Sequence, residues 1–108
     1  MRILKKDKFI KEYQILIIGA GNLGSRHLQG ILSMKLSSNI FVVDPSQAAL
    51  DLSRKRASEN KNHMHKLFFM QELPKNNHSF DVTVISTTSN ERSKLIKEIN
   101  KKYQINAW

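Results

Sequence analysis

The sequence predicts an α/β fold: a doubly wound, mostly parallel sheet with helices on both faces. Short β-branched runs alternate with amphipathic segments of about ten to fifteen residues, the pattern of right-handed crossover units. A glycine-rich turn joins the first strand to the first helix. The 108 residues are 40% apolar, which fits one globular domain, and no repeat or low-complexity tract interrupts the alternation.

The first two elements follow from their local patterns. Residues 13–18 form a β-branched run closed by Gly19, as expected of a buried parallel strand. Apolar side chains then recur at three- and four-residue spacing, which predicts a helix over residues 22–34. The predicted apolar face carries Leu23, His27 and Ile31, with Leu28 and Leu32 beside them.

The same alternation continues to the end of the chain. Further strands are predicted at residues 40–43, 66–70 and 82–85, and a last one begins within residues 103–108. Ser46 is the expected N-cap of a helix reaching about residue 59, and another helix follows the hydroxyl cluster at residues 86–89 as far as about residue 102. Because the last strand is cut short, we expect the sheet to be incomplete at the C-terminus.

Composition indicates where the folded domain begins and in which cellular compartment it is expected. Residues 1–12 are predicted to be a basic, solvated lead-in, without the apolar core of a signal peptide, and residues 13–108 the folded domain. The absence of cysteine excludes a disulfide scaffold, a thiolate zinc site and a cysteine nucleophile, and fits a cytoplasmic location. The longest apolar run, residues 15–20, is too short to cross a membrane.

The net charge of +9 raises the question of an anionic partner. Its lysines and arginines are scattered along the chain, with few aromatic residues among them for base stacking. We therefore interpret the charge as a solvated surface and expect no nucleic-acid or membrane partner.

The glycine-rich turn has the spacing G-x-G-x-x-G between a predicted strand and a predicted helix. In such a motif Gly19 permits the tight turn, Gly21 lets a pyrophosphate approach the backbone, and Gly24 lets the helix pack closely. Asn22 and Leu23 open the helix, whose unpaired amides and positive dipole end attract phosphate. These residues are the predicted pyrophosphate contacts of a dinucleotide-binding Rossmann domain.

Asp44 follows the second strand twenty residues after Gly24, where an acidic side chain can accept from the ribose hydroxyls of adenosine. Its carboxylate would repel the extra phosphate of NADP, so NAD is the expected cofactor and NADP the less favoured one. Ser46 and the more distant Arg54 are the residues that would favour NADP instead. The competing interpretation is a turn or capping aspartate before Pro45.

Two other nucleotide sites have a similar pattern. A phosphate-binding loop of the NTPase type is excluded, because Ser25 and Arg26 stand where its lysine and hydroxyl residue should be. An S-adenosylmethionine-dependent methyltransferase also combines a glycine turn with an acidic residue and remains an alternative. Gly24 at the helix-packing position favours the dinucleotide.

The histidines suggest neither a metal site nor catalysis. His63 and His65 alternate, but no cysteine or nearby carboxylate completes a ligand set, so we predict a surface loop and no metal. His27 is interpreted as a packed residue of the first helix. No residue of the chain is assigned a catalytic role.

The order of these motifs resembles the N-terminal NAD(P)-binding domain of the Gfo/Idh/MocA oxidoreductases, over nearly the whole chain after about residue 12. The matching segments are Gly19-Ala20-Gly21-Asn22-Leu23-Gly24-Ser25-Arg26-His27, Val42-Val43-Asp44-Pro45 and Asp81-Val82-Thr83-Val84-Ile85-Ser86-Thr87-Thr88. The resemblance implies that Asp44 holds the adenosine ribose and that Ser86, Thr87 and Thr88 pass the nicotinamide half. Members commonly carry Thr-Pro where this chain has Thr87-Thr88, and a histidine where Arg92 stands. In these departures the chain resembles a subgroup of the family that is associated with the biosynthesis of bacterial surface sugars.

The resemblance also implies a function: hydride transfer between NAD and a sugar-type alcohol or ketone. In that family the catalytic lysine lies at the end of the fifth strand and the substrate residues lie in a following α/β domain, and none of them is present here. We therefore expect this chain alone to be inactive, completed by a C-terminal substrate domain or a partner chain, and homo-oligomeric at full length. A stand-alone nucleotide-binding accessory module is the alternative from a different class.

Overall fold

The computed structural model describes residues 12–60, 63–75, 79–87 and 89–105 of the chain. The strands are β1 (Glu12–Ile18), β2 (Ser37–Val43), β3 (Met64–Met70), β4 (Ser79–Phe80), β5 (Val82–Ile85) and β6 (Gln104–Ile105). The helices are α1 (Asn22–Leu32), α2 (Gln47–Ser58) and α3 (Ser89–Lys102). Of the predicted basic lead-in, residues 1–11 lie outside the described residues, and Glu12 begins β1.

The main sheet has four parallel strands in the order β3-β2-β1-β5. This order, in which strand numbering reverses beside β1, is that of a doubly wound Rossmann sheet. The predicted fold class is therefore confirmed.

The strand predicted at residues 82–85 is confirmed as β5, and a bend at Asp81 separates it from the short β4, which was not expected from the sequence. The Asp81 amide donates to the Gln14 carbonyl at 2.7 Å, and the Gln14 amide donates to the Asp81 carboxylate at 2.8 Å. The backbone and side chain of Asp81 thus extend the hydrogen bonding between β1 and β5 by one residue. β6 is the described part of the last predicted strand, and it pairs in parallel with β4 in a separate two-stranded sheet.

Helices α1 and α2 cover one face of the sheet. Leu28 and Leu32 of α1 and Leu50 of α2 are buried against the β-branched side chains of β1 and β2. The other face carries α3, where Ile99 packs with Phe80 and Tyr103 against the alternate residues of the same strands. Burial on both faces explains why residues 15–18 of β1 form a continuous apolar run instead of an alternating one.

The predicted apolar face of α1 is confirmed at Leu28, Leu32 and the partly buried Ile31, and it is wrong at Leu23 and His27. Leu23 is 60% exposed and His27 is also exposed, whereas the buried residues of α1 are Gly24, Ser25, Leu28 and Leu32. The cause is the contact of Gly24 with the preceding turn, which fixes the rotation of the helix. Small residues at the interface carry no hydrophobic signal, so the spacing of larger side chains pointed to the neighbouring stripe.

The predicted surface loop at the histidines is also wrong, because His65 lies inside β3 and is only 6% exposed. Its Nδ1 lies 2.6 Å from the buried Ser38 hydroxyl, and its Nε2 lies 3.2 Å from the Met34 carbonyl oxygen. These partners make burial of a polar ring tolerable. Burial lowers the pKa of His65, and His63 nearby lowers it further, against an opposing effect of the Met34 hydrogen bond.

Within the ranges given above, no helix has the length and apolar character needed to cross a membrane.

Candidate functional site

The predicted site residues meet at the carboxyl edge of the sheet, where β1, β2 and β5 end side by side. Ile18 is in register with Val43 on one side and with Ile85 on the other. The residues that follow these strand ends are Gly19, Asp44 and Ser86. Ligands of open α/β sheets bind at this edge, beside the strand where the order reverses.

Gly19 makes the turn that leaves β1. Its φ of +98° lies in a region that other residues rarely adopt, and a Cβ on it would lie 2.8 Å from the Ser86 carbonyl oxygen. Its amide donates to the Val43 carbonyl at 2.8 Å, which ties the turn to β2. The turn therefore requires glycine for both its conformation and its close contact with the loop after β5.

Gly24 brings the start of α1 against the same turn. A Cβ on Gly24 would lie 1.7 Å from the Gly19 carbonyl oxygen, so no other residue fits without moving the helix. By contrast, a Cβ on Gly21 would meet no described atom within 4 Å beyond Gly21 and its two chain neighbours. The absence of a side chain at Gly21 is thus not required for packing within the part of the chain described, and it leaves the backbone open to a ligand.

The amino end of α1 has no side-chain cap. Gly21 is the N-cap residue and makes no side-chain hydrogen bond, and no acidic residue occupies the first turn. Asn22 and Leu23, which begin the helix, are exposed. The first amides of an α-helix lack partners within the helix and carry its partial positive charge. This end is accordingly suited to an anion.

Asp44 lies beside the turn and is half-buried. One carboxylate oxygen, Oδ2, accepts from the Ala20 amide at 2.8 Å, and the other, Oδ1, accepts from the Ser46 amide at 2.8 Å. The bond from the Ser46 amide is typical of a turn aspartate, which was the competing interpretation of Asp44 from the sequence. Each carboxylate oxygen can accept more than one hydrogen bond, so ribose hydroxyls can still be accommodated.

Two residues of α2 hold the same turn, and the sequence reasoning missed both. The buried Ser53 hydroxyl donates to the Ala20 carbonyl at 2.8 Å. The Arg56 guanidinium donates to the Asn22 carbonyl at 3.0 Å and to the Ser25 hydroxyl at 2.6 Å. Nothing in the spacing of these residues could have indicated the contacts, because they depend on how α2 packs beside α1.

A cleft of about 410 Å³ opens next to Asp44. Its apolar lining includes Val43, Pro45, Leu73 and Leu95, and Asp44, Thr87 and Lys94 contribute polar groups. Arg54 lies elsewhere: its guanidinium stacks 4.8 Å from the centre of the Phe69 ring and pairs weakly with Asp51. Among the described residues, the cation that lines this cleft is Lys94, which the sequence did not single out.

The loop after β5 is described only in part. Ser86 contacts the glycine turn, and its hydroxyl is buried without a hydrogen-bond partner among the described residues. Thr87 lines the cleft. Thr88, the third predicted contact, lies outside the described residues. Except for Thr88, the residues predicted to contact the pyrophosphate, the ribose and the nicotinamide half thus lie together at one edge of the sheet.

In the described ranges, no group of three or more histidine, cysteine or acidic side chains is arranged to hold a metal ion.

In comparison with known proteins, no family model matches the sequence and no curated protein matches it significantly.

Proposed function

We propose that this chain binds NAD at the carboxyl edge of its sheet and forms the cofactor-binding part of a sugar-type oxidoreductase. The observation that carries the proposal is the contrast among the three glycines. Gly19 and Gly24 lock the turn and the helix together, while Gly21 leaves the backbone between them accessible. This is the arrangement that a pyrophosphate requires at a helix amino end.

The pyrophosphate is proposed to lie over the uncapped end of α1. The amides of the first helical turn point along the helix axis toward this position, and the helix dipole favours a negative charge there. Asn22 and Leu23 would contribute backbone amides, which explains why their exposed side chains need no particular chemistry.

The adenosine half is proposed to occupy the cleft of about 410 Å³. Val43, Pro45 and Leu95 supply apolar walls for the adenine ring, and Asp44 accepts from the ribose hydroxyls. A carboxylate at this place disfavours a phosphate on the ribose, which supports NAD over NADP. Arg54 does not line the cleft. Lys94 does, and its positive charge is the feature of the cleft that would favour NADP.

The oxidoreductase assignment depends on the order of motifs, which resembles the Gfo/Idh/MocA proteins. NAD supplies a hydride acceptor when bound, and the residues of this chain bind and orient it. We propose that the substrate groups come from a following domain or a partner chain, that the full-length protein is a cytoplasmic homo-oligomer, and that its substrate is an alcohol or ketone of sugar type.

Titration of the folded protein with NADH, followed by nucleotide fluorescence, tests the proposal. We expect saturable binding, weaker binding of NADPH, and displacement of NADH by ADP. A folded sample that shows no saturable NADH binding would contradict the proposal. Binding of S-adenosylmethionine instead of NADH would support the methyltransferase alternative.

A further inference from the structure

We propose that Ser53 of α2 is a positioning residue for the pyrophosphate, because its hydroxyl sets the orientation of the Gly21 amide. The inference rests on the proposed function and goes beyond it, since Ser53 lies outside the glycine motif and need not touch the cofactor. It names a determinant of affinity on a different element of the fold, 33 residues from the turn it holds.

The Ala20 residue is held at both of its backbone polar groups. Its amide donates to the Asp44 carboxylate at 2.8 Å, and its carbonyl accepts from the Ser53 hydroxyl at 2.8 Å. Ala20 and Ser53 are both fully buried. A hydrogen bond made away from water between such partners is costly to lose, because the carbonyl would then remain unpaired.

These two bonds determine the direction of two peptide planes. In a planar trans peptide the C=O and the following N–H point in opposite directions. Because the Ala20 carbonyl points toward Ser53, the Gly21 amide must point away from α2. Likewise, the bond to Asp44 turns the Gly19 carbonyl away from that carboxylate, and this carbonyl is the atom on which Gly24 packs.

Gly21 cannot hold this orientation by itself. Glycine is the residue with the greatest backbone freedom, and beyond its two chain neighbours no described atom lies within 4 Å of the position where a Cβ would be. The constraint must come from its neighbours, Ala20 on one side and Asn22 on the other. Helix α2 bonds to both carbonyls, through Ser53 and through Arg56.

The consequence is preorganisation of the anion site. If the Ala20–Gly21 peptide were free to rotate, pyrophosphate binding would have to order it, and affinity would fall by that cost. Adenosine, which has no phosphate, would be indifferent to the peptide. Loss of the Ser53 hydroxyl should therefore separate the two affinities.

The test compares Ser53→Ala with Ser58→Ala in the full chain. Ser58 lies on the same helix, and its exposed hydroxyl donates to the Lys55 carbonyl within that helix. NADH affinity is measured by fluorescence, and adenosine affinity by chemical-shift titration of the backbone amides. Ser53→Ala should bind NADH about five- to tenfold more weakly, the equivalent of one net hydrogen bond, with adenosine affinity unchanged. Ser58→Ala should change neither.

A second variant guards against misfolding of the first. Ser53→Cys keeps a side chain of similar size but offers only a weak donor, so the same selective loss of NADH affinity is expected in a smaller amount. Equal losses for NADH and adenosine, or an unchanged NADH affinity in either folded variant, would overturn the positioning role. Failure of the unmodified protein to bind NADH would instead refute the proposed function itself, which keeps the two outcomes distinct.

Discussion

Gly24→Ala is the substitution for which the structure predicts the clearest loss of stability. The added Cβ would lie 1.7 Å from the Gly19 carbonyl oxygen and 2.6 Å from its carbon. The first distance is half of the 3.4 Å at which ordinary contact begins. Both opposing atoms belong to the backbone of a turn tied to β2, so neither can swing aside as a flexible side chain would.

Two effects of opposite sign set the magnitude. Replacing a helical glycine by alanine stabilises a helix by about 1 kcal/mol. Overpacking costs about 1–3 kcal/mol and occasionally more, and a clash with rigid backbone belongs at the upper end. The net loss should therefore be about 2 kcal/mol or more. For a domain of this size that corresponds to a fall in Tm of about 10 °C or more.

Gly30→Ala provides the control, since it places the same methyl group on the same helix. Gly30 is exposed, and outside the backbone of its own helix a Cβ there would meet no described atom within 4 Å. The helix-propensity gain of up to about 1 kcal/mol should therefore remain. Urea unfolding followed by circular dichroism measures all three proteins. If Gly24→Ala unfolds at the same urea concentration as Gly30→Ala, the inferred contact between helix and turn is refuted.

Three further predictions concern the site and the buried histidine. Gly21→Ala should fold like the unmodified protein, because beyond the neighbouring residues the added Cβ meets no described atom within 4 Å. It should nevertheless bind NADH at least about tenfold more weakly if pyrophosphate occupies that space, and unchanged affinity in the titration would contradict the proposed placement. Asp44→Asn replaces one of two acceptor oxygens by a donor facing a backbone amide, so the free energy of unfolding should fall by about 1–3 kcal/mol in a urea experiment, and the preference for NADH over NADPH should narrow. Because burial lowers the pKa of His65 below 6.5, the folded protein binds fewer protons than the unfolded chain once the pH drops below that value, and stability is lost as the pH falls. The urea midpoint should therefore decline more steeply between about pH 7 and about pH 5 than in His65→Gln, and parallel profiles would exclude this role.

The strands were predictable where burial is apolar and not where it is polar. The apolar, mostly β-branched residues at 15–18 and 40–43 indicated buried parallel strands, and β1 and β2 contain them. β2 and β3 begin earlier than predicted, because Ser38 and His65 pair with each other across the two strands. A hydrogen bond between two buried polar side chains depends on register, which the apolar pattern of a single segment does not reveal.

The site was predictable to the extent that it depends on sequence spacing. The three glycines and the acidic residue at the next strand end are separated by distances along the chain that the fold fixes, so the pattern identified them together. Ser53 and Arg56 contact the turn from α2, and their contribution depends on the rotation of that helix in the assembled domain. The exposed Leu23 illustrates the same limit, since helix rotation is decided by close packing at Gly24.

The two interpretations of Asp44, turn residue and ribose acceptor, turn out to be compatible. The hydrogen bonds from the Ala20 and Ser46 amides hold the carboxylate at the mouth of the cleft, and each oxygen keeps capacity for another donor. The same side chain therefore connects the turn proposed for the pyrophosphate with the cleft proposed for adenosine. A loss of NADH affinity on substituting Asp44 would mix both effects. The ratio of NADH to NADPH affinity isolates the charge at the ribose, because a disordered turn weakens the two cofactors alike.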